Sequence, residues 1–243
     1  VRRTSSSSRI GSAMMSRLFA LGYGAALGLI NHVLRMGFIA LALALPVKAE
    51  APRIVMLGDS LTAGYGLPEG DGMVPQLHGW LDAQGVAAVI ENAGVSGDTT
   101  AGGLARLDWA LGNGADGLIV ALGGNDLLRG LPPAEARANL SAILKRADRD
   151  RLPVLLIGLP APGNWGPDYK AEWDRIYPDL AAEYDATLIP NFLSGLGSDG
   201  TPASIAALMQ ADGLHPNRTG VARIVEAIGP QVADLARRAA SSP

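Results

Sequence analysis

Short apolar runs alternate with amphipathic runs along most of this chain. Each apolar run is flanked by Gly, Pro, Asn or Asp, a pattern typical of buried parallel strands. Strands are expected at 53–57, 86–91, 117–122, 154–159 and 187–190. Helices are expected at 72–84, 101–111, 136–147, 169–184 and 216–239. The alternation predicts one α/β domain, a three-layer αβα sandwich with a parallel sheet of about five strands.

Polar or small residues follow the first three strands. Ser60 comes just after the first strand, Gly94 just after the second and Asn125 just after the third. The carboxyl ends of parallel strands meet at one edge of a sheet, where such folds place their active sites. The backbone N–H groups of Ser60 and Gly94 and the side-chain amide of Asn125 could together stabilise an oxyanion.

A serine hydroxyl needs a neighbouring base to act as a nucleophile, and the chain has three histidines. His32 lies in an apolar N-terminal segment and His78 in a helical pattern, which leaves His215 as the candidate base. Asp212 precedes it by three residues and could accept a hydrogen bond from the imidazole. Pro216 is expected to occupy the first position of the last helix.

Each of these residues also has a simpler explanation. Asp59, Asp98 and Asp126 are typical turn or cap residues. Taken singly, Gly94 could be a turn glycine and Asn125 a buried amide, and the spacing of all the blocks together is what favours catalysis. Several aromatic residues raise a similar choice. Trp80 and Trp109 are expected in the core, whereas Trp165, Tyr169 and Trp173 could line an acyl groove or pack against helices.

Residues 1–49 look like a targeting leader ahead of a domain at 50–243. Met36–Pro46 is an 11-residue apolar stretch after Arg35, and Val47-Lys48-Ala49 has small residues where a signal peptidase reads. This pattern predicts a cleaved signal peptide and a periplasmic or secreted protein. A second apolar run, Leu18–Ile30, leaves an uncleaved anchor as the alternative.

Charge and composition exclude some classes of partner. Six of the 20 basic residues and none of the 23 acidic residues lie in residues 1–49, so the remainder carries 14 against 23, a balance of −9. An acidic domain argues against nucleic acid as a partner. The chain has no cysteine, so disulfides and thiolate metal sites are excluded. No obligatory protein partner is evident from the sequence.

The motifs together resemble the SGNH (GDSL) hydrolase family. Gly58-Asp59-Ser60, Gly94, Asn125 and the Asp212-x-x-His215 pair occur in the family's order. The resemblance extends over the chain from Arg53 onward. It implies a flavodoxin-like fold and an esterase of broad substrate range that uses neither a metal nor a cofactor.

Further segments resemble one subgroup of that family, the bacterial periplasmic acyl-CoA thioesterases, lysophospholipases and arylesterases. These segments are Ser96–Thr100, Leu128–Gly130, Ile176–Pro178 and Asp212–Arg218. The resemblance implies a small-molecule ester or thioester substrate, which could be lipid-like. It leaves open which of these substrates is natural.

Three function classes are compatible with this fold. We expect a serine esterase that acts through Ser60, His215 and Asp212, with a carbohydrate O-acetyl esterase as an alternative within that class. A nucleotide- or flavin-binding module is the second class, but G-x-G-x-x-G after the first strand and the P-loop motif are absent from the sequence. The third class is an inactive protein on a hydrolase fold, against which the complete Ser, His and Asp set argues.

Overall fold

A five-stranded parallel sheet forms the centre of the protein. The computed structural model describes residues 50–112, 114–197 and 205–241. The strands are β1 (Arg53–Gly58), β2 (Val89–Gly94), β3 (Gly117–Ala121), β4 (Val154–Ile157) and β5 (Thr187–Ile189). Their order is β2-β1-β3-β4-β5 and all pairs are parallel. This is the strand order of flavodoxin-like sheets, and the predicted fold class is confirmed.

Helices cover both faces of the sheet. They are α1 (Ser60–Ala63), α2 (Met73–Ala83), α3 (Thr100–Ala105), α4 (Leu107–Leu111), α5 (Gly124–Arg129), α6 (Pro133–Arg149), α7 (Pro167–Trp173), α8 (Ile176–Glu183) and α9 (Arg218–Ser241). Short 3₁₀ turns occur at Glu69–Asp71, Gly163–Trp165 and Ser194–Leu196. Within the described ranges, none of the helices is both long enough and apolar enough to cross a membrane. The predicted leader, residues 1–49, lies outside the described residues.

The core has two halves because successive residues of a strand point to opposite faces. In β1, Val55 and Leu57 join the cluster that contains the apolar residues of α4, α6 and α8. Ile54 and Met56 join the cluster on the other face, formed with α2 and α9. All four side chains are fully buried. The sheet is therefore the middle of three layers, as predicted.

Strand β2 differs from its predicted position by three residues at each end. Val86 N–H donates to the carbonyl of Leu81 and closes the end of α2, so it does not join the sheet. At the other end, Asn92, Ala93 and Gly94 pair with the last residues of β1. Parallel pairing overrides the turn preference of Asn and Gly. Gly94 is consequently the last residue of β2 and not the residue beyond it.

Two predicted helices are each broken into two. The helix expected at 101–111 is interrupted at Arg106, whose φ of −109° and ψ of 8° are not helical. The helix expected at 169–184 is interrupted between Trp173 and Ile176. The Asp174 carboxylate at this second break accepts a hydrogen bond from the backbone N–H of Ala161, 2.9 Å away. Both interruptions coincide with long-range side-chain contacts that periodicity alone does not encode.

The last helix begins two residues later than expected. Asn217 caps α9, and its side-chain oxygen accepts from the backbone N–H groups of Thr219 and Gly220 at 3.0 and 3.1 Å. Pro216 lies before the cap and forms an isolated bridge with Met209. The expectation that Pro216 occupies the first helical position is therefore wrong, because Asn217 supplies the better cap.

The tryptophans divide between core and surface. Trp109 is 77% exposed, so its predicted place in the core is wrong. The short helix α4 buries Leu107, Ala110 and Leu111 instead. Trp173 is fully buried, which confirms the packing role for this residue, whereas Trp165 is 45% exposed. Trp80 is partly buried and donates to Glu226 at 3.2 Å.

The strand order places a crevice between β1 and β3. Helix α2 follows β1 on one face of the sheet, whereas α6 follows β3 on the other. Sheets of this kind bind ligands where the connections diverge in this way, at the carboxyl ends of the strands. Ser60 follows β1 and Asn125 follows β3, so both lie at this crevice.

Candidate active site

Ser60 lies on a tight turn between β1 and α1. The Asp59 side chain caps α1 by accepting from the backbone N–H of Leu61 at 3.0 Å. Gly58 allows the strand and the helix to approach, because a Cβ there would lie 2.0 Å from the hydroxyl of Thr62. Ser60 is the first residue of α1, where backbone N–H groups have no acceptor within the helix.

Asp212, His215 and Ser60 form a hydrogen-bonded chain. The distance from His215 Nε2 to Ser60 Oγ is 2.9 Å. On the other side of the imidazole, Nδ1 lies 2.7 Å from Asp212 Oδ2. These are the distances that proton transfer from a hydroxyl to an imidazole requires. The structure thus brings together the three side chains predicted for the triad.

The Asp212 carboxylate is held in its ionised form by its own loop. Its second oxygen accepts from the backbone N–H groups of Leu214 and His215, at 2.9 and 3.0 Å. The hydrogen bonds from His215 and Leu214 lower the pKa of Asp212 to about 2. An ionised carboxylate on Nδ1 makes Nδ1–H the donor and leaves Nε2 free to accept the Ser60 proton.

Gly94 is the last residue of β2, and Asn125 lies in α5, which follows β3 on the other side of β1. Gly94 is paired with Gly58 in the sheet, and a Cβ on Gly94 would lie 2.3 Å from the backbone nitrogen of Ala63. Its N–H donates to Asn92 Oδ1 at 3.0 Å. The Asn125 side-chain amide donates to the backbone carbonyl of Asp98 at 2.9 Å. The Asn125 amide therefore lies at the same edge as Ser60. The Gly94 N–H points to the outer edge of β2, because the N–H groups of Val89 and Val95 are the ones that face β1, so the predicted Gly94 donor is directed away from Ser60.

The three aspartates that were expected to serve as turn or cap residues have structural contacts. Asp59 caps α1, and Asp126 is buried and accepts from the backbone N–H and hydroxyl of Thr100 at 2.8 and 2.7 Å. Asp126 thus caps α3 from another helix. Asp98 forms an ion pair with Arg106 at 2.6 Å.

His78 Nε2 lies 3.1 Å from the carbonyl oxygen of Ile90 on β2, which confirms its structural role.

A pocket of about 290 Å³ opens beside Ser60 and His215. Its apolar lining includes Leu61, Leu127, Leu128, Leu159, Leu193 and Leu214. Asn125 and Asn164 contribute amide groups. Among the described residues that line it, none is Lys or Arg. Walls of this kind favour an apolar ligand, which they remove from water, and the described lining offers no Lys or Arg to bind a phosphate group.

Three side chains that the sequence did not suggest also lie at the site. The ring of Tyr65 is tilted against that of His215, with centroids 4.8 Å apart. Gln210 joins the loops of both, since its side-chain amide donates to the carbonyls of Tyr65 and Pro216. Arg106 reaches the ends of β1 and β2. No local motif marks these residues, because each acts through partners that are distant in sequence.

No group of three or more His, Asp and Glu side chains suited to a metal ion occurs in the part of the chain that the structure describes. The polar groups at this edge are those of nucleophilic catalysis: a hydroxyl, a base, an acid and amide donors.

Sequence comparison assigns the family. The sequence profile of the GDSL-like Lipase/Acylhydrolase family matches residues 56–223. The chain belongs to this family. The GDSL hydrolase is 38% identical over 207 residues to Esterase TesA of Pseudomonas aeruginosa, covering 85% of this chain and 100% of the relative.

Two further relatives agree with this assignment. Thioesterase 1/protease 1/lysophospholipase L1 of Escherichia coli is 34% identical over 208 residues, covering 84% of this chain and 96% of the relative. The crystal structure of AlinE4, an SGNH-hydrolase family esterase, superimposes with a TM-score of 0.62 and 47% identity. That match covers 76% of this chain and 96% of AlinE4. The GDSL hydrolase is thus a serine enzyme that hydrolyses ester bonds, as the sequence predicted.

Asp59 gives a prediction about pH and stability. Burial raises its pKa to about 6 from the ordinary value of 3.8, with Asp126 adding to the rise while Leu61 N–H and His215 oppose it. The folded state therefore binds the Asp59 proton more tightly than the unfolded state does. The stability that this proton contributes is lost as the pH rises through 6. Asp59→Asn keeps an acceptor for Leu61 but removes the titration.

The difference in the free energy of unfolding between Asp59→Asn and the parent protein should increase in favour of the variant as the pH rises from 4 to 6. The gain should level off above that range at about 3 kcal/mol. Urea denaturation at a series of pH values measures this difference. Asp82→Asn, at an exposed position of α2, is the control and should show no such trend. A gain for Asp59→Asn that is flat from pH 4 to 8 would contradict the prediction.

Proposed function

We propose that Ser60 is the nucleophile, His215 the general base and Asp212 the group that orients the imidazole. The observation that supports this proposal is the continuous chain of two hydrogen bonds, 2.7 and 2.9 Å long, that joins the three side chains. Ser60 Oγ attacks the ester carbonyl while Nε2 of His215 takes its proton. The protonated His215 then delivers that proton to the departing alcohol or thiol, which leaves an acyl group on Ser60.

Deacylation repeats the same steps with water. His215 takes a proton from water as the water oxygen attacks the acyl carbon. The bond from that carbon to Ser60 Oγ then breaks while His215 returns the proton to Oγ, which releases the carboxylic acid. The ionised Asp212 stabilises the imidazolium in both halves of the reaction. It does so without taking the proton, since its pKa is about 2.

In this proposal the oxyanion is held by the N–H group of Ser60 and by the side chain of Asn125. The Asn125 amide has two N–H donors, so one can stay on the Asp98 carbonyl while the other binds the oxyanion. The single N–H of Gly94 donates to Asn92 Oδ1 and points away from β1, so it is not one of these donors. The missing side chain at Gly94 leaves room for the backbone of α1, which begins at Ser60.

The acyl group of the substrate is proposed to be lipid-like. The pocket beside Ser60 is mostly leucine and proline and has no cation among its described lining residues. An alkyl chain gains about 0.8 kcal/mol for each methylene that such a surface buries. The name of the Escherichia coli relative includes thioesterase and lysophospholipase, and a lysophospholipid carries an acyl chain. The headgroup of a lysophospholipid, or the thiol part of a thioester, then remains outside the pocket.

We further infer that the GDSL hydrolase is exported. The support is in the sequence, where Arg35 and the apolar stretch Met36–Pro46 are followed by Val47-Lys48-Ala49. These features match the charged, apolar and small-residue parts of a signal peptide. The acidic domain that follows carries no disulfide and needs no oxidant to fold.

The triad assignment makes a kinetic prediction. Ser60→Ala and His215→Ala should each lower kcat by at least about 10³-fold, because each removes a group that the reaction needs. The double variant should be hardly slower than either single variant, since the two residues act as one unit. Steady-state kinetics on a p-nitrophenyl ester measures all three. Losses that multiply in the double variant would refute the assignment.

The acyl pocket makes a prediction about specificity. With p-nitrophenyl esters from acetate to palmitate, kcat/KM should rise beyond acetate. Leu128→Ser, at an exposed pocket residue, should lower kcat/KM for octanoate about three- to tenfold and leave acetate unchanged. Trp109→Ser, exposed and absent from the described pocket lining, is the control. An enzyme that prefers acetate, with no effect of Leu128→Ser, would instead indicate an O-acetyl esterase.

Acyl-CoA and lysophospholipid, assayed at matched chain length, distinguish thioester from ester substrates.

The export proposal is tested by intact-mass measurement of protein recovered from the periplasm or medium. The mature chain should begin at Glu50 or within a few residues of it. Retention of Leu18–Pro46 would indicate a membrane anchor.

A further inference from the structure

Tyr65 lies against the base of the proposed triad and belongs to the same turn as the nucleophile. Its backbone N–H donates to the carbonyl of Ser60 at 3.1 Å. Gly64 ends α1 in the left-handed conformation, with a φ of 79°, and lets the chain turn just before Tyr65. The rings of Tyr65 and His215 meet with centroids 4.8 Å apart and planes inclined by 42°. The segment that presents the Ser60 hydroxyl therefore also presents an aromatic ring to the base.

The Tyr65 side chain contributes little to the core. Tyr65 is 54% exposed and belongs to neither core cluster, whereas the His215 side chain that it touches is 13% exposed. Among the described residues, none forms a hydrogen bond with the Tyr65 hydroxyl. A half-exposed ring gains less from burial than a fully buried one. The contact between the two rings is therefore the interaction that distinguishes this tyrosine.

Gln210 holds Tyr65 and His215 at a fixed separation. Its side-chain Nε2 donates to the carbonyls of Tyr65 and Pro216, at 2.8 and 3.0 Å. Its backbone N–H donates to the carbonyl of His215 at 2.7 Å. A Cβ on Gly66 would lie 2.2 Å from Gln210 Oε1, so a glycine there lets the amide lie against the turn. One residue thus joins the turn that begins at Ser60 to the loop that contains the base.

The ring contact matters most when His215 is protonated. The imidazole becomes a cation in both halves of the proposed reaction, and a cation within about 6 Å of an aromatic ring is attracted to the ring face. The neutral imidazole of the resting enzyme feels little of this attraction. The ring also restricts tilting of the imidazole out of the line that joins Asp212 to Ser60. Such a contact favours the transition states over the enzyme–substrate complex.

We propose that Tyr65 is a positioning residue for His215, whose ring orients the imidazole and stabilises its protonated form, and that Gln210 holds this ring in place. The inference rests on the assignment of His215 as the general base. A phenylalanine ring supplies the same face, whereas a leucine of similar bulk fills the space without attracting a cation.

The first test compares Tyr65→Leu with Tyr65→Phe in the full chain, by kcat and KM on p-nitrophenyl acetate and octanoate. Tyr65→Leu should lower kcat about 5- to 30-fold with both esters and change KM by less than about threefold. Tyr65→Phe should restore kcat to within about twofold of the parent. Equal kcat for the two variants would overturn the proposal. A loss that appears in KM, or with octanoate alone, would assign Tyr65 to substrate binding instead and also overturn it.

The His215→Ala background separates this proposal from the one on which it rests. If His215→Ala keeps a kcat close to that of the parent, the general base itself is wrong. If His215→Ala is slow and Tyr65→Leu lowers its residual kcat by the same factor as in the parent, the role of Tyr65 alone is wrong. The expected result is a slow His215→Ala variant in which Tyr65→Leu has no further effect, because Tyr65 acts through the imidazole.

Gln76 provides a matched control for Gln210. Its Nε2 also donates to two backbone carbonyls, those of Asp71 and Arg218, at 2.7 and 3.2 Å, but neither acceptor belongs to the Tyr65 turn or to His215. Gln76→Ala should therefore keep kcat within about twofold of the parent.

Gln210→Ala should lower kcat about three- to tenfold at a KM within about threefold, because it frees the ring without changing it. Both glutamine variants should lose a similar amount of melting temperature, since each loses two hydrogen bonds. Gln210→Ala also covers the case in which Tyr65→Leu does not fold. A folded Gln210→Ala variant with the kcat of Gln76→Ala would count against the proposal.

Discussion

The parallel register of β1 with its two neighbours is the constraint on which the site depends. Gly58 is paired with Gly94 on one side and with Ala121 on the other, so three strands end at the same level. The residues that follow are then neighbours, although they are distant in sequence. A slip of one residue in either pairing would turn the strand over and separate the amide donors from Ser60. The buried side chains of β1 make that slip costly, since both faces of the strand are packed.

Much of this arrangement can be predicted from the sequence. Periodicity indicates the strands and helices, and the rule for parallel sheets places Ser60, Gly94 and Asn125 at one edge. The short spacing between Asp212 and His215 predicts their contact, because a local loop suffices to bring them together. The contact between His215 and Ser60 follows less directly, as it needs the last helix to return to the end of β1.

The remaining features depend on contacts that no local pattern encodes. Arg106 lies in a helical pattern, and only its long-range acceptors reveal why the helix stops there. The start of β2 is set by hydrogen bonds with β1 and by the end of α2. Trp109 is exposed because a helix of five residues has one buried side, which smaller residues already fill. In each case tertiary contacts outweigh local preference.

The acid and the base of the triad belong to one short loop, whereas the nucleophile belongs to the sheet. The backbone N–H groups of the loop hold Asp212, and Asp212 holds His215, so all these bonds lie within four residues. A displacement of this loop would carry acid and base together and break the single bond to Ser60. The resting imidazole would keep its tautomer throughout. The enzyme can therefore return from an open state to a competent one by re-forming the hydrogen bond to Ser60 and the ring contact with Tyr65, with no rearrangement of protons.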